Sequence, residues 1–531
     1  MKLDTLDVAV FIAYVTGLLV LALWISRENK VGGKDTKDYF LAGKALPWWA
    51  IGASLIASNI SAEQIIGMSG SGYAIGLAIA SYEWMAAITL IIVGKYMLPI
   101  FLKNNIYTMP QYLEQRYDAR VKTILALFWL GVYVFVNLTA VLWLGGLAIE
   151  TVAGVDWMYG MIFLALFSVG YSLYGGLKAV AYTDILQVVL LVFGGLLLSY
   201  LALEAVGDGA GVLAGFGILT QEASGHFDMI LSPENEHYMS LPGISVLIGG
   251  LWVMNFSYWG FNQYIIQRAL AAKNVQEAQK GIAFAAYLKL LMPLIVVLPG
   301  IAAVILYPKL SVADQAYPSM MSLMPVGIKG LVFAALVAAI VSSLASMSNS
   351  ISTIFTMDIY AKLKPGKSQS HYVRTGRITT LVALVIALVV AEPLLGQFDQ
   401  AFQYIQEFTG FFTPGIVVIF MMGMFWSRAN SAGAITAAIG SAALSIAFKV
   451  FWPDLPFMDR VGIVFLMCLA LCVIVSLATE SSRDESGAET VDVNAGGSAG
   501  IAGISLDTER SFNVAAAGVV LILVALYATW W

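Results

Sequence analysis

Fourteen long apolar stretches follow one another along this chain, at roughly 6–26, 46–74, 76–102, 121–150, 156–174, 178–204, 243–267, 279–307, 326–361, 375–396, 402–426, 430–452, 459–479 and 512–530. A helix needs about 20 mostly apolar residues to cross the hydrocarbon core of a bilayer. Inside that core every backbone N–H and C=O must find a partner within the protein, so runs of this length read as helices. Composition agrees: 60% of the 531 residues are apolar and 11% are charged, against about 25% charged in a water-soluble domain. Such a chain cannot cover a soluble globule of its size with polar surface. The sequence predicts an all-α integral membrane protein of about 14 transmembrane helices, called segments 1 to 14 below, forming a single transmembrane domain.

Lysine and arginine placement predicts the orientation. The loop 27–45 carries Arg27, Lys30, Lys34, Lys37 and Lys44, and alternate connections continue the bias with Lys103, Arg116, Arg120 and Lys122, then Arg268, Lys273 and Lys280, then Lys362, Lys364, Lys367, Arg374 and Arg377. The long connection 205–242, glycine-rich and acidic, contains no lysine or arginine. It is expected to cap the outside, with the basic loops cytoplasmic and both termini facing the periplasm or exterior. The first apolar run is long enough to span and does not read as a cleavable leader. The segment YTMPQYLEQRY is expected to form a short surface helix near Pro110. The polar, Gly/Ser/Ala-rich stretch 480–511 reads as a flexible cytoplasmic linker. Cys468 and Cys472 read as small buried apolar residues. All three histidines, His226, His237 and His371, fall in connections, so a zinc site or histidine relay at membrane depth is not expected. The same lack of histidine, reactive cysteine and paired carboxylates argues against an enzyme. Nothing calls for nucleic acid or an obligate protein partner.

Two segments look interrupted. Segment 2 carries SNISAEQ at mid-length, and segment 7 carries Asn255, Ser257, Gly260, Asn262 and Gln263. Unwound backbone at membrane depth is tolerated only where protein or a cavity satisfies it. Two interrupted segments five apart point to two inverted five-helix repeats around a midplane site: segments 2–6 (46–204) and segments 7–11 (243–426). Ionisable residues within spans mark pathways by default. Glu83 lies well inside segment 3 and Lys289 inside segment 8. They read either as a shared cavity around a ligand or as a structural ion pair. One carboxylate, one ammonium and the amides of Gln64, Asn255 and Gln406 would suit a neutral, hydroxyl-rich solute. Tyr258 and Trp259 offer flat faces for a pyranose ring, with the ring of Tyr258 expected to matter more than its hydroxyl. Ser342 and Ser343 in segment 9, with carbonyls near Ala57 and Ile60 freed by the break in segment 2, offer the hard oxygens that a sodium ion prefers, as other hard cations do.

The stretches DYFLAGKALPWWAIGASLIASNISAEQIIGMSGSGYAIGLAIASYEW, YSLYGGLKAVAYTDILQ, YWGFNQYIIQRALAAK, AAIVSSLASM, FQYIQEFTG and GMFWSRANSAGAITAAIGSA resemble the solute:sodium symporters, and within them the bacterial sodium/galactose (sodium/glucose) branch. The resemblance covers nearly the whole chain. It implies a leucine-transporter-type fold, sodium as the coupling ion and a sugar as substrate, in a bacterial inner membrane. It implies sugar contacts at Gln64, Glu83, Asn255, Lys289 and Gln406, with Tyr258 as inner gate and Met68, Tyr82 and Phe402 as outer gate. For sodium it implies the carbonyls of Ala57, Ile60 and Ala339 and the hydroxyls of Ser342 and Ser343, with Asp184 on the inward ion exit. The related pattern has serine where Ala86 stands. A sodium-coupled carrier of another solute, such as an inositol or an amino acid, is the alternative.

Overall fold

The computed structural model describes residues 3–27, 46–104, 106, 108–174, 177–479 and 506–531. Helix occupies each of the fourteen apolar segments, and no sheet forms among the described residues. The basic loop at 28–45, with most of DYFLAGKAL, and the linker at 480–505 lie outside the described residues. Residues 506–511, read from sequence as linker, already belong to the last helix, Leu506–Trp530. Nine helices among the described residues are long and apolar enough to cross a membrane, and the bent pair Ala401–Thr409 and Thr413–Phe425, at 49°, makes a tenth. Segments 1 and 5 hold shorter apolar helices, Thr5–Leu21 and Trp157–Gly170, and segments 2 and 7 are broken at mid-length.

Both breaks fall on the polar stretches. Segment 2 begins at Trp48, whose N–H is accepted by the Glu277 carboxylate of segment 8 at 2.8 Å, because Pro47 at the cap position has no side-chain acceptor and the first amides of a helix need partners. The helix Trp48–Asn59 ends at Ile60, which is extended (φ −72, ψ 97). After the π-turn Glu63–Gly67, the helix Met68–Ala74 follows. Segment 7 runs through Gly250–Phe256 and the π-turn Ser257–Phe261. It then breaks at Asn262, whose side chain caps Gln263–Leu270 by accepting the Tyr264 N–H. An asparagine suits that position because its carbonyl oxygen satisfies an amide the helix cannot.

Segment 8, Val275–Leu306, lies along both halves of segment 2. Glycines allow the close approach at either end. A Cβ at Gly281 would stand 2.9 Å from the Trp48 carbonyl oxygen, and one at Gly300 would stand 2.2 Å from that of Ser69. Small residues at helix crossings replace the hydrophobic drive that lipid removes. These two contacts bracket Lys289. At the far end of segment 2 the chain reverses at Gly76 (φ +94), where a Cβ would meet the His226 carbonyl oxygen at 2.3 Å. The connection 205–242 covers this end: it contains the helix Val212–Glu222, and the Met229 N–H donates to the Trp530 carbonyl at 2.9 Å. Segment 1 is pinned by Asp7, a buried acid that accepts the Gly327 and Gly330 amides at 2.7 and 3.0 Å and so caps segment 9.

The helix Met109–Arg116 forms as expected, with the Thr108 hydroxyl as its cap; Glu114 and Gln115 are exposed, while its other face is buried. Tyr112 is fully buried, and Arg116 donates to the carbonyls of Gly423, Trp426 and Ala429 at 2.7, 2.9 and 3.0 Å. The end of Thr413–Phe425 leaves carbonyls without helical donors, and the guanidinium fork supplies them. Cys468 and Cys472 are buried free thiols, as predicted.

Gly300→Val is expected to destabilise the protein by about 1–3 kcal/mol, the usual cost of overpacking, because its Cβ would collide with backbone. Thermal unfolding in detergent, compared with wild type, checks this; an unchanged midpoint would mean that segments 2 and 8 are not held at this contact.

Candidate functional site

The charged residues of segments 3 and 8 meet. The Lys289 Nζ lies 2.5 Å from Glu83 Oε2, and both side chains are buried. Lys289 also donates to the side-chain amide oxygen of Asn59 and sits 4.8 Å over the Trp259 ring. The ammonium is thereby held by an anion, an amide and an aromatic face. A buried charge left alone would cost several kcal/mol. The two charges thus meet directly in the fold.

Asn59, the last residue before the break in segment 2, links this pair to segment 7. Its Nδ2 donates to the Tyr258 hydroxyl at 3.1 Å, and that hydroxyl lies 2.7 Å from the Tyr264 hydroxyl. Tyr258 packs edge-on against Trp259, ring centres 5.0 Å apart. The Tyr258 hydroxyl is thus bonded on two sides, and Lys289 sits over the Trp259 ring. Among the candidate amides, Gln64 is buried with its Nε2 3.1 Å from Met68 Sδ. Asn255 is buried, and its Nδ2 has no partner among the described residues. Gln406 is half-buried on Ala401–Thr409. Tyr82 and Phe402 meet edge-to-face at 5.0 Å. Phe402 lies against segment 2 where Gly67 leaves room, its Cβ 3.3 Å from where a glycine Cβ would stand. Ala86 is buried one turn beyond Glu83.

The break also exposes acceptors. The helical ladder stops at the bond from the Ile60 N–H to the Ile56 carbonyl and resumes with the Ile65 N–H to the Ser61 carbonyl. The carbonyls of Ala57, Ser58, Asn59 and Ile60 lack helical donors. On segment 9, Ala339, Ser342 and Ser343 are buried. The Ser342 hydroxyl donates to Asp184 of segment 6 at 2.6 Å, which leaves its lone pairs free to face elsewhere. Arg268 lies 3.9 Å from the other Asp184 oxygen and donates to the Tyr264 carbonyl. Sequence counted Arg268 among the loop cations. It is only 2% exposed, because Asp184 and the end of segment 7 draw it inward.

Two further acids that sequence reasoning passed over tie the connection between segments 8 and 9 to segment 11. Asp314 Oδ2 accepts the Ala401 N–H at 2.8 Å, and Asp399 Oδ1 accepts the Ala313 N–H at 3.0 Å. Each acid caps the other's element. Burial, with Asp399 adding to it, pushes the Asp314 carboxyl well above the usual range. Asp314 also abuts segment 2: a Cβ at Gly70 would lie 2.3 Å from its Oδ1. The element bearing Phe402 and Gln406 is thus fastened to the second half of segment 2, Met68–Ala74. Of the missed residues, Asn59 carried a readable signal, a polar side chain at a break. Tyr264, Asp314 and Asp399 did not.

The model of the sodium:solute symporter family matches residues 39–440. The chain belongs to this family. It is 51% identical over 547 aligned residues to a sodium/glucose cotransporter of Vibrio parahaemolyticus, covering 100% of this chain and 99% of that one. It is 34% identical to a human sodium/myo-inositol cotransporter 2, covering 83% of this chain and 69% of that one. A solved sodium-coupled sialic acid symporter superimposes with a TM-score of 0.76 at 23% identity, over 90% of this chain and 99% of that one. A nucleobase-cation-symport-1 family transporter superimposes at 0.53 with 12% identity, over 84% and 96%. The symporter therefore has the leucine-transporter-type fold that the resemblance implied. It is an integral membrane protein and not an enzyme. It couples a small solute to sodium by alternating access.

Removing one partner of the buried pair in this symporter, as in Glu83→Gln or Lys289→Met, is expected to cost about 3–5 kcal/mol, and the double variant is expected to recover part of it. A double-mutant cycle on thermal unfolding reads the coupling; strictly additive effects would mean the two charges do not depend on each other.

Proposed function

We propose that this symporter carries a neutral hexose, galactose or glucose, into the cell with sodium, across a bacterial inner membrane. All fourteen segments cross, the repeats span 46–204 and 243–426, and both termini and the connection 205–242 face outward. The observation that carries the substrate class is the Glu83–Lys289 pair. It presents donor and acceptor capacity at membrane depth with no net charge, which disfavours an organic acid. Segment 7 adds a buried amide donor on Asn255 with no partner among the described residues, a group that costs about 1–3 kcal/mol if left unsatisfied and that a sugar hydroxyl would satisfy. The sodium/glucose relative points the same way. The myo-inositol relatives favour a second reading, an inositol at the same site, since a cyclic polyol offers similar hydroxyls.

In the cycle, sodium enters from outside. It is held by the carbonyls of Ala57, Ile60 and Ala339 and the hydroxyls of Ser342 and Ser343. Asp184 takes the Ser342 proton side, so the oxygen lone pairs meet the ion, and later lies on the ion's inward exit. Sodium stiffens the break and so fixes Asn59 and Gln64. Sugar then binds Gln64, Glu83, Asn255, Lys289 and Gln406. Met68, Tyr82 and Phe402 close above it, and Tyr258 closes below until release. A potential of about 100 mV supplies about 2.3 kcal/mol per charge, roughly fiftyfold accumulation for one sodium per sugar.

Labelled galactose and glucose uptake into proteoliposomes, with an inward sodium gradient or potassium in its place, tests the reading. Uptake is expected to require sodium and to be competed by unlabelled hexose more strongly than by myo-inositol; the reverse order would favour the inositol reading. Ser343→Ala is expected to abolish sodium-dependent uptake in folded protein, and retained sodium dependence would remove Ser343 from the ion site. Tyr258→Phe breaks the bonds to Asn59 and Tyr264 and is expected to slow uptake by about tenfold, the scale of one or two lost hydrogen bonds. Wild-type rates in that variant would return the role to the ring alone.

A further inference from the structure

A groove of about 700 Å³ opens between segments 4, 9 and 10, away from the paired charges. Its wall is almost wholly apolar, with Leu130 and Gly131 on segment 4, Phe355 on segment 9, and Ile378, Val382 and Ile386 on segment 10. Gly131 leaves the wall open, since a Cβ there would meet nothing within 4 Å. Ile378 and Val382 are each about half exposed, at 52% and 51%, so the groove is open to its surroundings along its length.

One end is different. Arg374 and His371 line it there, with Tyr360 across from them. The His371 Nε2 is engaged with the Tyr360 hydroxyl at 3.0 Å. Arg374 is exposed and has no anionic partner among the described residues. The nearby acids are already taken: Asp358 by Lys122 at 2.9 Å, and Glu114 by Lys122 and Lys362 at 2.8 and 3.6 Å. The stretches 114–122 and 358–377 together hold eight lysines and arginines against three acids, so this end carries an excess of positive charge.

The dimensions suit one molecule type. From Arg374 to Ile386 is twelve residues of helix, about 18 Å. One leaflet of the hydrocarbon core is about 15 Å deep, half of roughly 30 Å. A groove with a cation at the interface and an apolar wall one leaflet deep matches a phospholipid with its phosphate at the top and one acyl chain below. The excess positive charge places this end on the cytoplasmic side, where anionic headgroups collect and where basic pockets between helices hold them.

We propose that this groove is a binding site for one anionic phospholipid, its phosphate paired with Arg374 and one acyl chain lying between segments 4, 9 and 10. The lipid fills the space that Gly131 leaves and braces segment 10 against segment 9, the helix that also carries Ser342 and Ser343.

The test uses the full chain, purified in detergent and titrated with phosphatidylglycerol or phosphatidylcholine of identical acyl chains, with bound lipid counted by native mass spectrometry. Wild type is expected to retain one phosphatidylglycerol in preference to phosphatidylcholine. Arg374→Gln is expected to weaken phosphatidylglycerol retention about fivefold, the worth of one basic residue at a membrane surface, and to leave phosphatidylcholine unchanged. Gly131→Leu adds a side chain where a Cβ meets nothing within 4 Å and is expected to remove the retained lipid while keeping the wild-type melting temperature. Equal retention of the two lipids by wild type, or no effect of either variant, overturns the proposal. So does a dimer that Gly131→Leu dissociates, which would assign the groove to a second copy of the chain.

Discussion

A lysine at membrane depth is the constraint around which this structure is arranged. Moving an ammonium out of water has an idealised cost of order 20 kcal/mol, and lipid offers nothing in return. Lys289 is tolerated because three segments converge on it: Glu83 from segment 3, Asn59 from segment 2 and Trp259 from segment 7. That convergence needs segments 2 and 8 to touch at backbone distance, and Gly281 and Gly300 provide the room on either side. Packing and electrostatics are therefore one requirement here. A bulkier residue at either glycine would lift Lys289 away from its partners.

The break in segment 2 makes that requirement functional. A continuous helix would have used the carbonyls of Ala57 to Ile60 within its own ladder. Breaking it frees them and turns Asn59 toward both Lys289 and Tyr258. In the proposed cycle one short polar stretch belongs to the ion site, the sugar site and the inner gate together. An ion that stiffened the stretch would raise affinity for sugar, and linkage requires that sugar raise affinity for the ion by the same factor. Elsewhere, the reciprocal caps of Asp314 and Asp399 tie the connection between segments 8 and 9 to the start of segment 11.

Much of this was readable in the chain. Apolar runs of spanning length predict membrane helices because lipid leaves the backbone few choices. SNISAEQ and the Asn255–Gln263 stretch predict breaks because polar groups there cannot face lipid. The proline of YTMPQ predicts a helix start. Each of these follows from residues close in sequence. What went astray depends on distant partners. Arg116 reads as a surface cation until the uncapped end of Thr413–Phe425 is found beside it, and Arg268 reads as a loop cation until Asp184 draws it inward. The bonds from the Tyr258 hydroxyl to Asn59 and Tyr264 have no signal in the chain.

The sequence by itself determined the class of protein, the membrane helices, the two breaks and the residues too polar to be left to lipid, because these depend on composition and on patterns a few residues long. Tertiary structure alone decided which of those residues meet. Lys289 and Glu83 are 206 residues apart along the chain, and Ser342 and Asp184 are 158 apart. Bringing such groups within hydrogen-bond distance depends on helix crossings, on where glycines let backbones touch and on which end of each helix lacks a cap. Those are properties of pairs of surfaces, and no single stretch of sequence contains them.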